Sequence, residues 1–277
     1  MSASAAQASR ARFVVLALLA VGTMINYLDR TVLGLAAPSL TRELELSAGV
    51  MGLVFSAFSW TYALAQIPGG VFLDRFGSKL TYFVSVAAWS WFTLLHGFAT
   101  GLASLLACRF GLGVSEAPCF PTNSRVVTTW FPQQERARAT GVYTVGEYLG
   151  LACFSSLLFW IIASFGWRAM FIVAGASGIM FALAWWKLYY EPKDSPALNQ
   201  AEREHIAAGG GLESAADREQ SQFSWACVRA LLRYRQMWGA CLGQFGGNST
   251  LVFFSPGFRA IWPPSGTWVG SSSAFSR

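Results

Sequence analysis

The sequence predicts an all-α integral membrane protein, and three observations carry that prediction. Of the 277 residues, 54% are hydrophobic and only 12% are charged, against about 25% charged residues in an ordinary soluble domain. The apolar residues fall in long blocks, with no Asp, Glu, Lys or Arg between Glu45 and Asp74 or between Lys79 and Arg109. Runs of roughly 18 or more apolar residues are long enough to cross a bilayer as helices. Finally, Lys and Arg collect in alternate connections, as the positive-inside rule requires.

Taken in order, the spans fall at about 13–36, 48–73, 80–99, 102–128, 139–164 and 168–189. The first is too long for the apolar region of a signal peptide and is followed by further spans. Pro38 and Ser39 close it. Gly77 and Ser78, Thr100 and Gly101, Pro132 and Gln133, and Gly166 mark the later turns. Glycines inside the spans, among them Gly111, Gly113, Gly175 and Gly178, let membrane helices approach closely. Arg10, Arg12, Arg75, Lys79, Arg136, Arg138, Lys187 and Lys193 fall on one side, and Arg42 and Arg168 on the other. This asymmetry predicts a cytoplasmic N-terminus, and it makes the net charge of +6 a topology signal and not a nucleic-acid footprint.

The expected domains are a six-helix lobe at 1–190 and a polar cytoplasmic linker at 191–236 with a short helix around Gln200–Ala207. The start of a seventh span follows at 237–254, after an amphipathic lead-in, WACVRALLRYRQMW. Residues 255–277 change character, because three prolines and runs of serine cannot continue a span.

Charge inside a bilayer costs at least about 2.5–3.5 kcal/mol per group at the centre, so its placement is informative. Asp29 and Arg30 lie in span 1, Arg109 and Glu116 in span 4, and Glu147 in span 5. Spans 1 and 4 are related as the first helices of two three-helix inverted repeats would be, both lining a central cavity. Arg109 and Glu116 share a face about 10 Å apart along the axis. Asn26 and Arg30 share a face at i, i+4, with Tyr27 beside them, and Gln66 and Asn123 add uncharged polar groups. Guanidinium groups bind carboxylates in a fork, and a desolvated carboxyl can exchange a proton near neutral pH. These groups suit proton-coupled transport of an organic anion. They would equally suit structural ion pairs between helices, and Asp29 could instead lie in water at the outer end of span 1.

GGVFLDRFGSK at 69–79 resembles the loop signature between helices 2 and 3 of major facilitator transporters, matching at Gly70, Asp74, Arg75, Gly77 and Lys79. Ser78 stands where a basic residue is common. INYLDR, FSAFSWTYALAQIPGG, RFGLGVSEAPCFPTNSRVVTTWFPQQERARATG and FGWRAMFIVAG are similar to the anion:cation symporter branch, which includes bacterial galactonate, glucarate and hexuronate transporters. The similarity runs from Arg12 to Phe254.

It implies the first lobe of a major facilitator fold, built as a 3+3 inverted repeat with the start of helix 7, in the bacterial inner membrane. It also implies proton symport of a sugar acid by alternating access, driven by the proton gradient without a cofactor, in a monomer. Asp29 and Glu116 would carry protons. Tyr27, Arg30 and Arg109 would contact substrate, with Asn26, Gln66, Asn123 and Glu147 around them. The charged loop would favour one conformation. Glu147 replaces a glutamine of sugar-acid relatives, which leaves tartrate-like, aldarate and aromatic carboxylates open. Relatives continue after Phe254 with a TWFPxYL-like segment, and a shifted reading frame over Ser255–Trp262 is compatible with that text. Residues 255–277 are therefore expected to be a frameshifted tail on a truncated half that inserts without transporting.

Other classes fit poorly. The two histidines, His96 and His205, fall at an outer loop and in the linker, and there is no P-loop, G-x-G-x-x-G or metal spacing. A receptor would keep the cavity but needs a signalling domain. The five cysteines form no CxxC pair and read as small buried residues. The sequon Asn248-Ser249-Thr250 lies within span 7 and reads as chance.

Overall fold

The structure, a computed structural model, describes residues 9–211 and 225–252, and every regular element among them is an α-helix. The chain divides into two compact units, Met1–Ser221 and Gln222–Arg277. The first contains α1 (Ala11–Glu43), α2 (Ala48–His96), α3 (Leu102–Glu116), α4 (Cys119–Trp130), α5 (Gln133–Leu188) and α6 (Gln200–Ala208). The second contains α7 (Trp225–Leu231) and α8 (Arg235–Val252), which take the places of the lead-in and the seventh span. The expected frameshifted tail lies outside the described residues.

α1, α2 and α5 are each long and apolar enough to cross a membrane. α2 and α5 hold 49 and 56 residues. Drawn straight they would run about 74 and 84 Å, more than twice a hydrocarbon core of about 30 Å. Each reverses at one glycine, Gly77 (φ 76°, ψ 173°) in α2 and Gly166 (φ 82°, ψ 172°) in α5. Those angles are essentially closed to other residues. The reversal shows in the contacts. Phe58 and Phe92, from opposite arms of α2, both lie against the Gly111–Gly113 turn of α3. Gly150 and Gly178, from opposite arms of α5, both face the Met24–Ile25 turn of α1. α2 and α5 are thus two spans each, and α3 with α4 makes the remaining one.

That fourth span differs from the continuous helix expected over 102–128, because a turn at Ala117–Pro118 separates α3 from α4. Pro118 has no N–H to give the carbonyl four residues back, so the helix ends beside Glu116. Two apolar layers fill the lobe. One, with Leu19, Trp89, Trp130, Trp185 and Ile206, lies toward Arg12. The other, with Val32, Leu33, Leu105, Trp167 and Phe171, lies toward Glu43. The polar residues of the middle lie between them.

The Arg12 end is closed by α6, so the linker helix belongs to the lobe. Glu202, fully buried, accepts from the backbone N–H of Ala11 at 3.1 Å and from Arg12 Nη1 at 2.9 Å. Arg12 also pairs with Glu135 at 3.1 Å, and Arg136 donates to the Gly210 carbonyl at 2.7 Å. At the opposite end Glu43 accepts from Trp167 Nε1 at 2.6 Å and pairs with Arg168. His96, expected in a loop at this end, is buried. Its Nδ1 is 2.7 Å from the Phe92 carbonyl and its ring stacks on Phe171 at 5.1 Å.

Two predictions follow from these contacts. A Cβ on Gly175 would sit 2.6 Å from the Ser90 carbonyl oxygen and the Leu94 backbone nitrogen, where neither helix can yield. Gly175→Ala should lower thermal stability by about 1–3 kcal/mol. Gly141→Ala, with no atom within 4 Å of its Cβ, should leave stability unchanged or raise it, and thermal unfolding in detergent reads both. At the far end, the Arg168 hydrogen bond first, and the Trp167 one second, hold the Glu43 carboxyl below the usual glutamate range. A depressed acid stabilises the folded state above its unfolded pKa, and the contribution disappears as pH falls through the folded value. Acid titration should loosen this clamp below about pH 4.3, the ordinary glutamate value, and Glu43→Gln should remove that part of the pH dependence.

Candidate functional site

The site begins with α1, whose polar residues follow a helical repeat. Asn26 and Asp29 are buried at 0% and 3% exposure, so Asp29 lies inside the lobe and not in water at a span end. Arg30 points to the other flank of the helix. Its Nε donates to Glu116 Oε1 at 2.7 Å and a terminal nitrogen reaches the same oxygen. The break at Pro118 leaves Glu116 at the last turn of α3, facing α1.

Four aromatic rings surround the Arg30 guanidinium: Tyr62 at 5.1 Å, Tyr27 at 5.3 Å, Phe58 at 5.4 Å and Phe120 at 6.0 Å. Ring faces attract a cation, more strongly when water is excluded. The pair is unequally enclosed, with the Arg30 side chain 31% exposed and that of Glu116 fully buried. Glu147 of α5 completes this side, interacting with the Tyr27 hydroxyl and with Arg30.

Arg109 lies deeper, 4% exposed, 5.9 Å from the Phe58 ring and within electrostatic reach of Glu116 and Asp29. Its Nε has no hydrogen-bond partner among the described residues, and the Asp29 carboxyl lies against the Trp89 indole N–H. Arg109 and Glu116 lie almost two turns apart on α3, and across the bundle Glu116 accepts its hydrogen bonds from Arg30. Asn123 donates to Thr23 Oγ1 at 3.4 Å, toward the Arg12 end. Gln66 is half-exposed on α2 and takes no part in these contacts.

In the signature loop, Gly77 makes the reversal. Asp74 pairs at 3.3 Å with Arg125, which also donates to the Leu73 carbonyl at 2.9 Å. Arg75 lies against Phe76, and Lys79 over Tyr190 at 4.1 Å. Gly70 is in open space, whereas its neighbour Gly69 packs on Pro118, whose backbone nitrogen would be 3.2 Å from a Cβ. Sequence reasoning passed over Arg125, Gly69 and the rings of Phe58, Tyr62 and Phe120. The i, i+4 pair Phe58 and Tyr62 was the available signal.

An arginine that is buried without full hydrogen bonding is a structural liability, which makes Arg109 a candidate ligand contact. Arg109→Met should leave thermal stability unchanged or raise it while reducing anion binding. A loss of several degrees would make Arg109 a structural cation.

Comparison with known proteins supplies the rest. Residues 19–263 match the sequence profile of the Major Facilitator Superfamily. A D-galactonate transporter of Escherichia coli O6:H1 is 44% identical over 254 residues, covering 91% of this chain and 59% of that protein. A probable galactarate/D-glucarate transporter of Bacillus subtilis is 41% identical over 252 residues, covering 88% and 55%. The chain thus spans less than two thirds of the length of these relatives. Among solved structures, a bacterial homologue of the human lysosomal transporter Spinster, inward-facing and unoccupied, aligns with TM-score 0.58 at 29% identity, over 67% of this chain and 44% of that one. The proton:xylose symporter XylE aligns at TM-score 0.55 and 15% identity, over 75% and 51%, a likeness of fold alone.

Proposed function

The chain belongs to the Major Facilitator Superfamily, and on that premise we propose that it forms the first lobe of a symporter carrying an organic anion together with protons. The observation that carries this reading is the Arg30–Glu116 pair, joined by hydrogen bonds yet exposed only on its arginine side.

With Asp29, Glu116 and Glu147 ionised against Arg30 and Arg109, the cluster holds three negative and two positive charges and repels an anion. A proton on Glu116 removes one negative charge and frees the Nε edge of Arg30, which a carboxylate can accept in a fork. The surrounding rings keep water from that edge and so strengthen the contact. Release of the substrate lets Glu116 give up its proton and re-form the pair. Asp29, beside Arg109, would serve as the second protonatable group. Protonation and anion binding thereby depend on each other, which is what coupling through alternating access requires.

The relatives, named as transporters of galactonate and of galactarate/glucarate and not as enzymes, support a sugar acid as the anion. Glu147 against Tyr27 and Arg30 favours a second reading, a tartrate-like or aromatic carboxylate, because it sets an extra acid in the site. The excess of Lys and Arg at the Arg12 end supports a cytoplasmic N-terminus.

In proteoliposomes holding the complete transporter, Glu116→Gln should abolish uphill, proton-driven uptake of galactonate, a loss of at least about tenfold, while substrate counterflow persists. Retained uphill uptake would sink the coupling role. A thermal-shift screen of galactonate, glucarate, galacturonate, tartrate and benzoate would separate the two readings.

A further inference from the structure

On the side of the lobe away from the charged cluster, the second arms of α2 and α5 flank a shallow, open groove of about 500 Å³ lined by apolar side chains, among them Phe83, Ala87, Trp91 and Ile179. Ala87 and Ala88 leave its depth between the larger Phe83 and Trp91, and Trp91 is 52% exposed along its edge. Lys79, Phe83, Ala87 and Trp91 follow one another at i, i+4, so each neighbours the next and the row winds about 120° around the helix from Lys79 to Trp91. Lys79 is thus one turn beyond the groove, at the end that also holds Gly77. Its ammonium lies 4.1 Å from the Tyr190 ring and 5.3 Å from Trp186, and Trp186 packs on Phe83 at 5.0 Å. Lys187, next to Trp186, is exposed. Two acids of this end are already engaged, Asp74 by Arg125 and Glu191 by the Ser78 N–H and the Tyr189 hydroxyl.

We propose that this groove is a binding site for one anionic phospholipid, with an acyl chain along Phe83–Trp91 and the phosphate at Lys79. The dimensions match. Lys79 to Trp91 spans about 18 Å of helix axis, one leaflet of a bilayer whose hydrocarbon core is about 30 Å thick, plus the edge of its headgroup layer. The chemistry also matches, with a cation flanked by tryptophan and tyrosine at the polar end and an apolar trough below it. None of the groove's side chains belongs to the charged cluster, so the inference stands independently of the transport reading.

The test uses the purified chain, native mass spectrometry and thermal unfolding with added phosphatidylglycerol or phosphatidylcholine. The wild type should retain phosphatidylglycerol and be stabilised by it more than by phosphatidylcholine. Ala87→Phe should lose the retained lipid of either kind. Lys79→Gln should still take lipid but with anionic affinity reduced about fivefold, the weight of one lysine at an anionic surface. Equal stabilisation by the two lipids in wild type and Lys79→Gln would overturn the proposal even if Ala87→Phe does not fold. Lipid retained undiminished by a folded Ala87→Phe protein would overturn it too. A dimer that dissociates on Ala87→Phe would assign the groove to a second copy and equally overturn it.

Discussion

Five ionisable side chains lie in the middle of an apolar helix bundle, and the need to keep them out of hydrocarbon governs the arrangement of the lobe. Asp29, Arg30, Arg109, Glu116 and Glu147 come from three helices, and no helix could hold its share alone. α1 contributes Asp29 and Arg30, α3 answers with Glu116 and Arg109, and α5 brings Glu147 against Tyr27 and Arg30. The apolar layers on either side then isolate the cluster from both ends. The isolation keeps electrostatic interactions within the cluster strong.

Holding such a cluster also demands rigid surroundings. Where α2 and α5 cross, Gly175 meets the backbone at Ser90 and Leu94, and close backbone approach replaces the hydrophobic drive that membrane helices lack. Each end is tied separately, by Glu43 with Trp167 and Arg168 at one and by Arg12, Glu135 and Glu202 at the other.

The spans, their turns and the intramembrane charges were legible in the sequence because hydropathy and the cost of buried charge act on each segment by itself. Gly77 and Gly166 were expected as turns and supply the two reversals. Legibility stopped where a property depends on two segments at once. Residue spacing puts Glu116 and Arg109 on one face of span 4, but that Glu116 pairs with Arg30 depends on α1 across the gap. His96 was placed in a loop because it ends an apolar run, yet stacking on Phe171 keeps it buried. The linker helix was visible as a helix, but nothing local announced that Glu202 would enter the lobe.

That last contact sets an order of events during synthesis. The first turn of α1 has no side-chain cap of its own, and the first N–H groups of any helix lack partners within it. The Ala11 donor is satisfied by Glu202, 191 positions later. At about 5–20 residues per second, the ribosome needs about 10–40 s to go from Ala11 to that partner. The Arg12 end of α1 is therefore secured only once α6 has been made, and until then the lobe remains open at that end.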